Sequence, residues 1–248
     1  MASTDMNIAI LPTRRGSQRV PQKNTRPFAG IDGGLVRIKL AQLLDCQAID
    51  LVIMTTDDPF TLARAPEWAG VDRNRLQLNE RPQRLARSET ATDDLIRHVI
   101  AELVAPFDDR DVMLWTHATS PFFQSRDYSR AVEVFREQTG TGAFDSVMTV
   151  RRVQEFVWDE TGPINYDRSL MRWPRTQTLN PLWCIDSATF LATAASCRRE
   201  VDRIGRMPYL LESGWPQTLD VDTLEDFAFA ELLWRQGIGR EARPKDLC

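Results

Sequence analysis

Cationic residues crowd into one short stretch near the start of the chain. Five of them fall within thirteen residues: Arg14, Arg15, Arg19, Lys23 and Arg26. Gly16 and Ser17 lie among them and can turn backbone N–H groups toward an anion. This combination is typical of a loop that binds a polyphosphate, although a loose cluster of arginines is more often a solvated basic turn.

A pair of carboxylates near the other end of the chain could bind a metal ion. Asp220 and Asp222 are separated by one residue, and in a strand alternate side chains point to the same face. We therefore expect both to project from one side of a strand. Two carboxylates on one face suit Mg²⁺, which fills its other positions with water and phosphate oxygens. An Asp-x-Asp pair by itself is a weak signal.

The elements that must position these residues alternate between strands and helices. Five runs are predicted as strands: residues 8–11, 51–56, 76–78, 111–117 and 145–150. Helical spacing of apolar residues predicts helices near residues 35–44, 92–105, 128–135 and 227–234. This order predicts an α/β fold with a mostly parallel, twisted sheet flanked by helices. Ligands of such sheets bind beyond the carboxyl ends of the strands, which is where the basic loop begins.

Three local expectations accompany these elements. The first helix should be amphipathic, with Arg37, Lys39 and Gln42 between its apolar positions. Thr92 can cap the helix that begins near it. Asp57 and Asp58 precede a proline, and this pattern favours a turn and a helix cap over a metal site.

Composition limits the class of protein. The chain has 248 residues, 42% of them apolar and 27% charged, with a net charge of −4. These values are typical of an ordinary globular chain and argue against a general nucleic-acid binder. Four cysteines without C-x-x-C spacing suggest reduced thiols, and no apolar run approaches the ~20 residues of a membrane span. We expect a cytoplasmic protein with no export signal and no membrane segment.

Several motifs in order resemble the acylneuraminate cytidylyltransferases, which activate sialic acids. Residues 11–24 resemble the opening signature of that family without a gap. Further matches follow at residues 81–86, 119–121, 145–150 and 220–227, so the resemblance extends from about residue 8 to residue 233. Three positions depart from the pattern: Arg15 replaces a glycine, Gln18 a lysine, and His117 a glutamine.

The resemblance implies a fold and an activity. The fold would be a Rossmann-like, GT-A-like nucleotidyltransferase forming a single domain over residues 1–248. Its core would comprise about residues 6–150 and 186–238, with a small lobe at about 151–185 for dimerisation and for covering the sugar. CTP and a nine-carbon 2-keto sugar acid would give the CMP-sugar and pyrophosphate. Mg²⁺ would be the cofactor, and the protein would be a homodimer.

The resemblance also implies roles for individual residues. The catalytic and metal-binding roles fall to Arg14, Lys23, Asp220 and Asp222, the last two holding the metal. Nucleotide contacts fall to Arg14, Arg15, Gly16, Ser17, Gln18, Asn24, Arg81 and Thr92. Sugar contacts fall to His117, Thr119, Ser120, Arg175 and Gln177.

Other interpretations of the same residues remain open. A pyrophosphorylase for a hexose 1-phosphate or another alcohol would share the fold and the phosphate loop, although the closing Asp-x-Asp motif favours a sugar-acid enzyme. A relative specific for 3-deoxy-octulosonate fits the first loop less well. Gln18 and His117 are the features that favour a nucleotide-binding relative without catalysis. Without the resemblance, Arg81 would be assigned to a solvated loop, and Arg175 is equally compatible with an unpartnered rim arginine. His98 is interpreted as structural, and the sugar acid is not identified.

Overall fold

The computed structural model describes residues 5–87 and 89–239, and a seven-stranded sheet lies at their centre. Its strands are β1 (Asn7–Pro12), β2 (Leu51–Thr56), β3 (Leu76–Glu80), β4 (Val112–Thr116), β5 (Ser146–Val153), β8 (Leu182–Thr193) and β9 (Pro208–Glu212). A separate hairpin consists of β6 (Trp158–Asp159) and β7 (Gly162–Pro163). The strand order is β3-β2-β1-β4-β8-β5-β9.

Six α-helices flank the sheet over the described residues: α1 (Gly34–Asp45), α2 (Pro59–Ala69), α3 (Thr92–Val99), α4 (Ser125–Gly140), α5 (Ala194–Glu200) and α6 (Leu224–Arg235). A π-helical turn, Ile100–Val104, continues α3, which confirms the predicted helix at 92–105. Two apolar clusters line the two faces of the sheet. One contains residues of α1, α4 and α6, and the other contains residues of α3 and α5.

The sheet is mostly parallel, as predicted. The pairs β1–β2, β1–β4, β2–β3 and β5–β9 are parallel, whereas β8 runs antiparallel to both β4 and β5. Ile8 to Leu11 in β1 are buried on both faces because strands and helices cover them from every side. The α/β fold class is confirmed. Strand β8, the hairpin β6–β7 and the short strand β9 were not predicted. The five residues of β9 are mostly half-buried and lack a clear apolar period.

Helix α1 differs from its expected amphipathic pattern. Lys39 and Gln42 are buried, and their side chains donate to backbone carbonyls of the loop after β4. The prediction of a solvated polar face at these two positions was wrong, because the loop covers it. Gly33 begins the helix with φ 80°, and a Cβ on Gly34 would lie 2.0 Å from the carbonyl oxygen of Arg26. The two glycines therefore let the basic loop pack directly against the helix start.

The two predicted helix caps have different outcomes. The Asp58 side chain accepts hydrogen bonds from the Phe60 N–H and the Thr61 hydroxyl at the start of α2, which confirms the cap interpretation. Thr92 does not cap α3. Ala91 occupies the cap position and Thr92 is the first helical residue, so the helix begins one residue too early for the threonine hydroxyl to serve.

The expected strand around Asp220 and Asp222 is absent from the described residues. Residues 219–222 form no strand, and Val221 N–H donates to the Thr119 carbonyl at 2.8 Å. Strand β4, which ends beside this segment, already has β1 and β8 as neighbours, so no free edge remains for a further strand. The segment instead crosses the carboxyl end of the sheet.

Two further observations concern chain chemistry. Cys46, Cys184 and Cys197 are free thiols, while Cys248 lies outside the described residues. Among residues 5–87 and 89–239, no helix combines the length and the apolar character needed to cross a membrane.

Candidate active site

A cavity of about 460 Å³ opens at the carboxyl ends of β1 and β4. Ten of the residues predicted for the site line it: Arg14, Gly16, Ser17, Gln18, Lys23, Asn24, Arg81, Thr92, His117 and Thr119. Its remaining wall comes from Pro12, Thr13, Arg19, Leu95, Trp115, Ala118 and Arg203. The topology therefore gathers residues from across the chain at the edge where α/β sheets bind ligands.

The basic loop is anchored at several points. Thr13 N–H donates to the Thr55 carbonyl at 3.0 Å, which extends the β1–β2 pairing by one residue. The side-chain amide of Asn24 donates to the Arg14 carbonyl at 3.0 Å, and the Asn24 carbonyl accepts from Val36 N–H in α1. Asn24 thus ties the loop to itself and to the helix. Its contact with a nucleotide stays a prediction.

Backbone donors at the tip of this loop are available to a ligand. The N–H groups of Gly16, Ser17 and Gln18 donate no hydrogen bond to any residue of the described ranges. Gly16 has open space on its Cβ side. Consecutive unpaired amides beside several cations form an anion-binding concavity, which is the arrangement expected for phosphate oxygens.

Arg81 is a buried cation at the back of the cavity. Its guanidinium donates to the Thr55 carbonyl at 2.8 Å, and its Nε has no partner among the described residues. Burial lowers the pKa of Arg81 to about 10, with Asp57 opposing and Arg14 adding to the effect. The side chain stays charged at neutral pH, so the interpretation of Arg81 as a solvated loop residue is wrong.

Asp222 connects the acidic segment to the basic loop. Its Oδ1 accepts from Arg19 Nη2 at 2.9 Å and from Lys23 Nζ at 3.1 Å. Lys23 also donates to the Val221 carbonyl at 2.8 Å. The Asp222 side chain is 41% exposed, so the pair of cations holds it at the edge of the cavity without burying it.

Asp220 lies beside Asp222 in a more enclosed position. Its Oδ1 is buried and has no hydrogen-bond partner within the described part of the chain. Burial raises the pKa of Asp220, the Thr119 hydroxyl offsets part of this rise, and the charge of Asp222 adds to it. A buried carboxylate oxygen without a partner is costly unless a ligand satisfies it.

These two carboxylates fit a divalent cation. Mg²⁺ prefers hard oxygen ligands and is commonly held by one or two carboxylates together with phosphate and water. The unpartnered oxygen of Asp220 and the half-exposed carboxylate of Asp222 provide such oxygens near the basic loop. No group of three or more His, Cys, Asp or Glu side chains suited to a metal occurs in the described ranges. The remaining ligands would therefore have to come from substrate and solvent.

His117 is held in one neutral form. Its Nδ1 lies 2.8 Å from the Ser187 carbonyl, so this nitrogen carries the proton, and its Nε2 accepts from Trp115 Nε1–H at 3.2 Å. Burial lowers the pKa of His117 to about 4. Both ring nitrogens are therefore engaged by the protein. A hydrogen bond from this ring to a sugar or base would require one of these contacts to break.

The two other residues of the His117 loop have different exposures. Thr119 lines the cavity, and its carbonyl accepts from Val221 N–H. Ser120 is fully buried, and its hydroxyl oxygen has no partner among the described residues. Ser120 is not part of the cavity wall. Its sugar contact stays a prediction, which this position does not favour.

Three predicted site residues lie elsewhere. Arg15 donates its N–H to Asp57 Oδ1 and lines a separate pocket with Asp32 and Asp58. Arg175 precedes a short 3₁₀ turn, Thr176–Thr178, and Gln177 lies within it; both are exposed and neither is part of the cavity wall. Their nucleotide and sugar contacts remain predictions that this geometry does not assemble within one chain.

Arg203 is the site residue that sequence reasoning missed. It follows α5, lines the cavity, and places its guanidinium carbon 4.0 Å from the centroid of the Phe190 ring. Arg198, Arg199 and Arg206 lie close to it in sequence, and nothing in the pattern distinguishes it from these surface arginines. Only the packing of the turn after α5 against β8 reveals its position.

Comparisons with known proteins agree with this geometry. A family model described as Cytidylyltransferase matches residues 8–161. N-acylneuraminate cytidylyltransferase of Oncorhynchus mykiss is 26% identical over 231 residues, which cover 90% of this chain and 49% of that protein. The chain thus spans about half the length of this relative and of a similar Danio rerio protein.

Two bacterial relatives match along nearly their whole length. CMP-N,N'-diacetyllegionaminic acid synthase of Legionella pneumophila is 28% identical, and the match covers 91% of this chain and 95% of that one. Pseudaminic acid cytidylyltransferase of Campylobacter jejuni is 23% identical, with 92% and 96% covered.

Solved structures share the fold at low identity. A 4-diphosphocytidyl-2C-methyl-D-erythritol synthase from Anaerococcus prevotii superposes with a TM-score of 0.64 at 11% identity, covering 93% of this chain and 96% of that one. A CMP:2-keto-3-deoxy-manno-octonic acid synthetase solved with CTP gives 0.60 at 15% identity, covering 94% and 100%. These matches confirm the nucleotidyltransferase fold.

Proposed function

The chain belongs to the cytidylyltransferase family, and from this premise we propose that it transfers the cytidylyl group of CTP to an acidic nine-carbon 2-keto sugar, releasing pyrophosphate. The names of the relatives favour this acceptor, because they include enzymes for acylneuraminic, legionaminic and pseudaminic acids. The fold match alone would not distinguish these acceptors from others.

One observation carries the proposal. One cavity is lined by unpaired loop amides and by the cations Arg14, Lys23 and Arg81. The carboxylate of Asp222, with Asp220 beside it, lies at the cavity edge, where Lys23 donates to it. Nucleotidyl transfer needs charge stabilisation at phosphate and precise positioning, with little covalent chemistry by the protein. This arrangement provides both.

Individual residues would have distinct roles in the proposed transfer. Arg14, Lys23 and the amides of Gly16 and Ser17 would hold the triphosphate and stabilise the charge that develops on pyrophosphate. The anomeric hydroxyl oxygen of the sugar would form a bond to the α-phosphorus and lose its proton to solvent, while the bond from that phosphorus to the oxygen bridging it to the β-phosphate breaks and pyrophosphate leaves with that oxygen. His117 does not serve as the base in this arrangement, because both ring nitrogens are engaged and burial, which lowers its pKa to about 4, opposes uptake of a proton.

A divalent metal is part of the proposal. Asp220 and Asp222 would hold Mg²⁺, which when bound would neutralise phosphate charge. Lys23, bonded to both the Val221 carbonyl and Asp222, would keep this acidic segment in place.

The alternative of a relative without catalysis has less support than the sequence alone suggested. Gln18 removes one charge from the loop, but Arg14, Arg19, Lys23 and Arg81 still line the cavity with four cationic side chains. The triphosphate would therefore meet enough positive charge without a lysine at position 18.

The state of the protein in the cell is also proposed. We propose a homodimer formed through the lobe at residues 151–185, where Trp158 and Trp173 are exposed. Cytoplasmic localisation is consistent with the free thiols of Cys46, Cys184 and Cys197, since reducing compartments keep cysteines unpaired.

Pyrophosphate release tests the proposed reaction directly. Purified protein would be incubated with CTP, with and without Mg²⁺, and with N-acetylneuraminic, pseudaminic, legionaminic or 3-deoxy-octulosonic acid. We expect Mg²⁺-dependent release with at least one nine-carbon acid and little release when UTP or ATP replaces CTP. Release with a hexose 1-phosphate but with no acid would identify a different pyrophosphorylase. CTP binding without any release would identify a non-catalytic relative.

A further inference from the structure

Arg203 provides a cation on a different wall of the cavity from the basic loop. Its guanidinium carbon lies 4.0 Å from the Phe190 ring centroid and 5.7 Å from that of Trp115. Stacking on an aromatic face stabilises a cation and fixes the plane of the guanidinium. The N–H groups at the edge of that plane remain free to pair with an anion.

The protein itself supplies no such anion. The Arg203 side chain forms no hydrogen bond and no ion pair with any residue of the described ranges, although its backbone N–H bonds Asp202. Burial lowers the pKa of Arg203, and Asp202 and Asp93 act against this effect from beyond ion-pair distance. Removing a cation from water without giving it a partner is unfavourable, and a bound anionic ligand would compensate for this cost.

The other cations of the cavity lie on the phosphate side and already have hydrogen-bond partners in the protein. Arg19 and Lys23 bond Asp222, while Arg14 and Arg81 bond the carbonyls of Arg87 and Thr55. Arg203 instead lies near His117, whose pKa it lowers more than Lys23 does. The cavity therefore has a phosphate side formed by the basic loop and a second cationic side formed by Arg203.

We infer that Arg203 binds the carboxylate of the sugar-acid acceptor and so selects acidic over neutral acceptors. The inference rests on the proposed transfer to a sugar acid. A guanidinium held in a fixed plane pairs with a planar carboxylate through two parallel hydrogen bonds. Arg175, for which the resemblance implies a sugar contact, is not on the cavity wall.

Steady-state kinetics of Arg203→Met and Arg203→Lys test the inference. For Arg203→Met we expect KM for the sugar acid to rise about tenfold to hundredfold, as for loss of a charge-assisted hydrogen bond. KM for CTP should stay within about twofold, because the triphosphate contacts are untouched. Arg203→Lys should give an intermediate loss, since it keeps the charge and loses the planar pair of donors.

A neighbouring arginine provides the matched control. Arg206 lies on the same turn, is paired with Glu200 at 2.9 Å, and is not part of the cavity wall. Arg206→Met removes an equal charge and should leave both KM values unchanged. Circular dichroism and CTP binding would verify that each variant is folded.

A modified substrate tests the same contact without a mutation. With the wild-type protein, we expect the methyl ester of the sugar acid to have a raised KM. This KM should equal the KM of Arg203→Met for the free acid. The ester should lose no further affinity in that variant, because both changes remove one interaction. The inference would be overturned if Arg203→Met raised KM for CTP as much as KM for the sugar acid. It would also be overturned if the wild type used the acid and its ester equally well.

Failure of the proposed function would be recognised separately. If the wild type releases no pyrophosphate with any acid, calorimetry on the CTP-bound protein would compare binding of N-acetylneuraminic acid and its methyl ester. Acid-selective binding that is lost in Arg203→Met would support the carboxylate contact even without turnover. Absence of acid-selective binding would refute it.

Discussion

At the scale of single residues, Asp222 has two roles that compete. Its Oδ1 accepts from both Arg19 and Lys23, which are themselves candidates for holding the triphosphate. The carboxylate therefore holds two cations at the cavity edge and is also the more accessible of the two proposed metal ligands. Binding of nucleotide and metal would exchange these ion pairs for contacts with phosphate oxygens.

Asp222→Asn tests the metal role. We expect it to lower Mg²⁺-dependent pyrophosphate release by about a hundredfold or more, since an amide is a poorer ligand and does not neutralise the cations. The fold should be retained, because the side chain is 41% exposed. The measurement is kcat as a function of Mg²⁺ concentration, together with a thermal melt.

Glu225→Gln and Asp226→Asn are the controls for this variant. Glu225 is an exposed first-turn residue of α6 and should change neither property. Asp226 forms the capping box with Thr223, so Asp226→Asn should lower stability by about 1 kcal/mol without abolishing the Mg²⁺ dependence. Full activity of Asp222→Asn would contradict the metal assignment.

The sequence allowed much of the phosphate side of the site to be predicted. Arg14, Lys23 and Asp222 follow ordered motifs, and the structure brings them to one cavity or its edge. Arg203 was not predictable, because its importance depends on stacking against Phe190, which is a tertiary contact. The sequence could not show that both ring nitrogens of His117 are hydrogen-bonded, because one of the partners is Ser187, which lies 70 residues away.

At the scale of secondary-structure elements, helix α1 holds the loop that follows β4. Lys39 is fully buried and donates to the carbonyls of Ser120 and Phe123 at 2.9 and 2.7 Å. Gln42 donates to the Pro121 carbonyl between them. Three contacts within four residues therefore fix the backbone next to Thr119, which lines the cavity.

Lys39 predicts a pH dependence of stability. Burial lowers the pKa of Lys39 to about 7, with Asp127 opposing the shift. Between about pH 7 and pH 10 the unfolded chain binds a proton that the folded chain does not, so the free energy of unfolding should rise with pH in this window. Lys39→Met should remove this rise, measured by urea denaturation at several pH values.

Gln42→Met is the matched control for Lys39→Met. It removes one side-chain contact from the same loop without removing a titratable group, so the rise with pH should persist at a lower overall stability. The difference between the two variants cancels other groups that titrate in the same range. A parallel pH dependence in Lys39→Met and the wild type would count against this assignment.

The elements differed in how well their sequence revealed them. Strands β1, β2 and β4 are continuous apolar runs because helices cover both faces of the sheet, and all three were predicted. The polar residues Lys39 and Gln42 of α1 led to a wrong prediction of a solvated face, because periodicity cannot show that a loop covers the helix. The segment at 219–222 has the alternation of a strand, but β4, the strand beside it, already pairs with a strand on each side.

At the scale of the whole molecule, exposed apolar side chains are concentrated in one region of the chain, although others are scattered elsewhere. Within residues 151–185 and the start of β8, the exposed ones are Phe156, Trp158, Ile164, Leu170, Met171, Trp173, Trp183 and Ile185. Aromatic residues are enriched at protein interfaces, and a surface of this kind is unusual on a monomer. It is the basis of the proposed homodimer.

Charge introduced into this surface should separate the subunits. Trp173 is 66% exposed, and we expect Trp173→Glu to shift the protein from dimer to monomer in sedimentation velocity without lowering its melting temperature by more than a few degrees. Val71→Glu is the control, since Val71 is 95% exposed on a turn of another part of the chain and should leave the dimer intact. A monomeric wild type at micromolar concentration would disprove the dimer.

The division into a core and a lobe stays a prediction.

The cavity joins parts of the chain that are far apart in sequence. Arg19 and Asp222, whose side chains meet, are separated by 203 residues, and β1 pairs with β4 across more than half of that span. Such long loops must close before any complete binding wall exists, and this is entropically slow. A partly folded or truncated chain therefore holds no formed nucleotide site. CTP should bind the native state alone, so ligand concentration would raise the apparent stability of the finished protein and leave its intermediates unprotected.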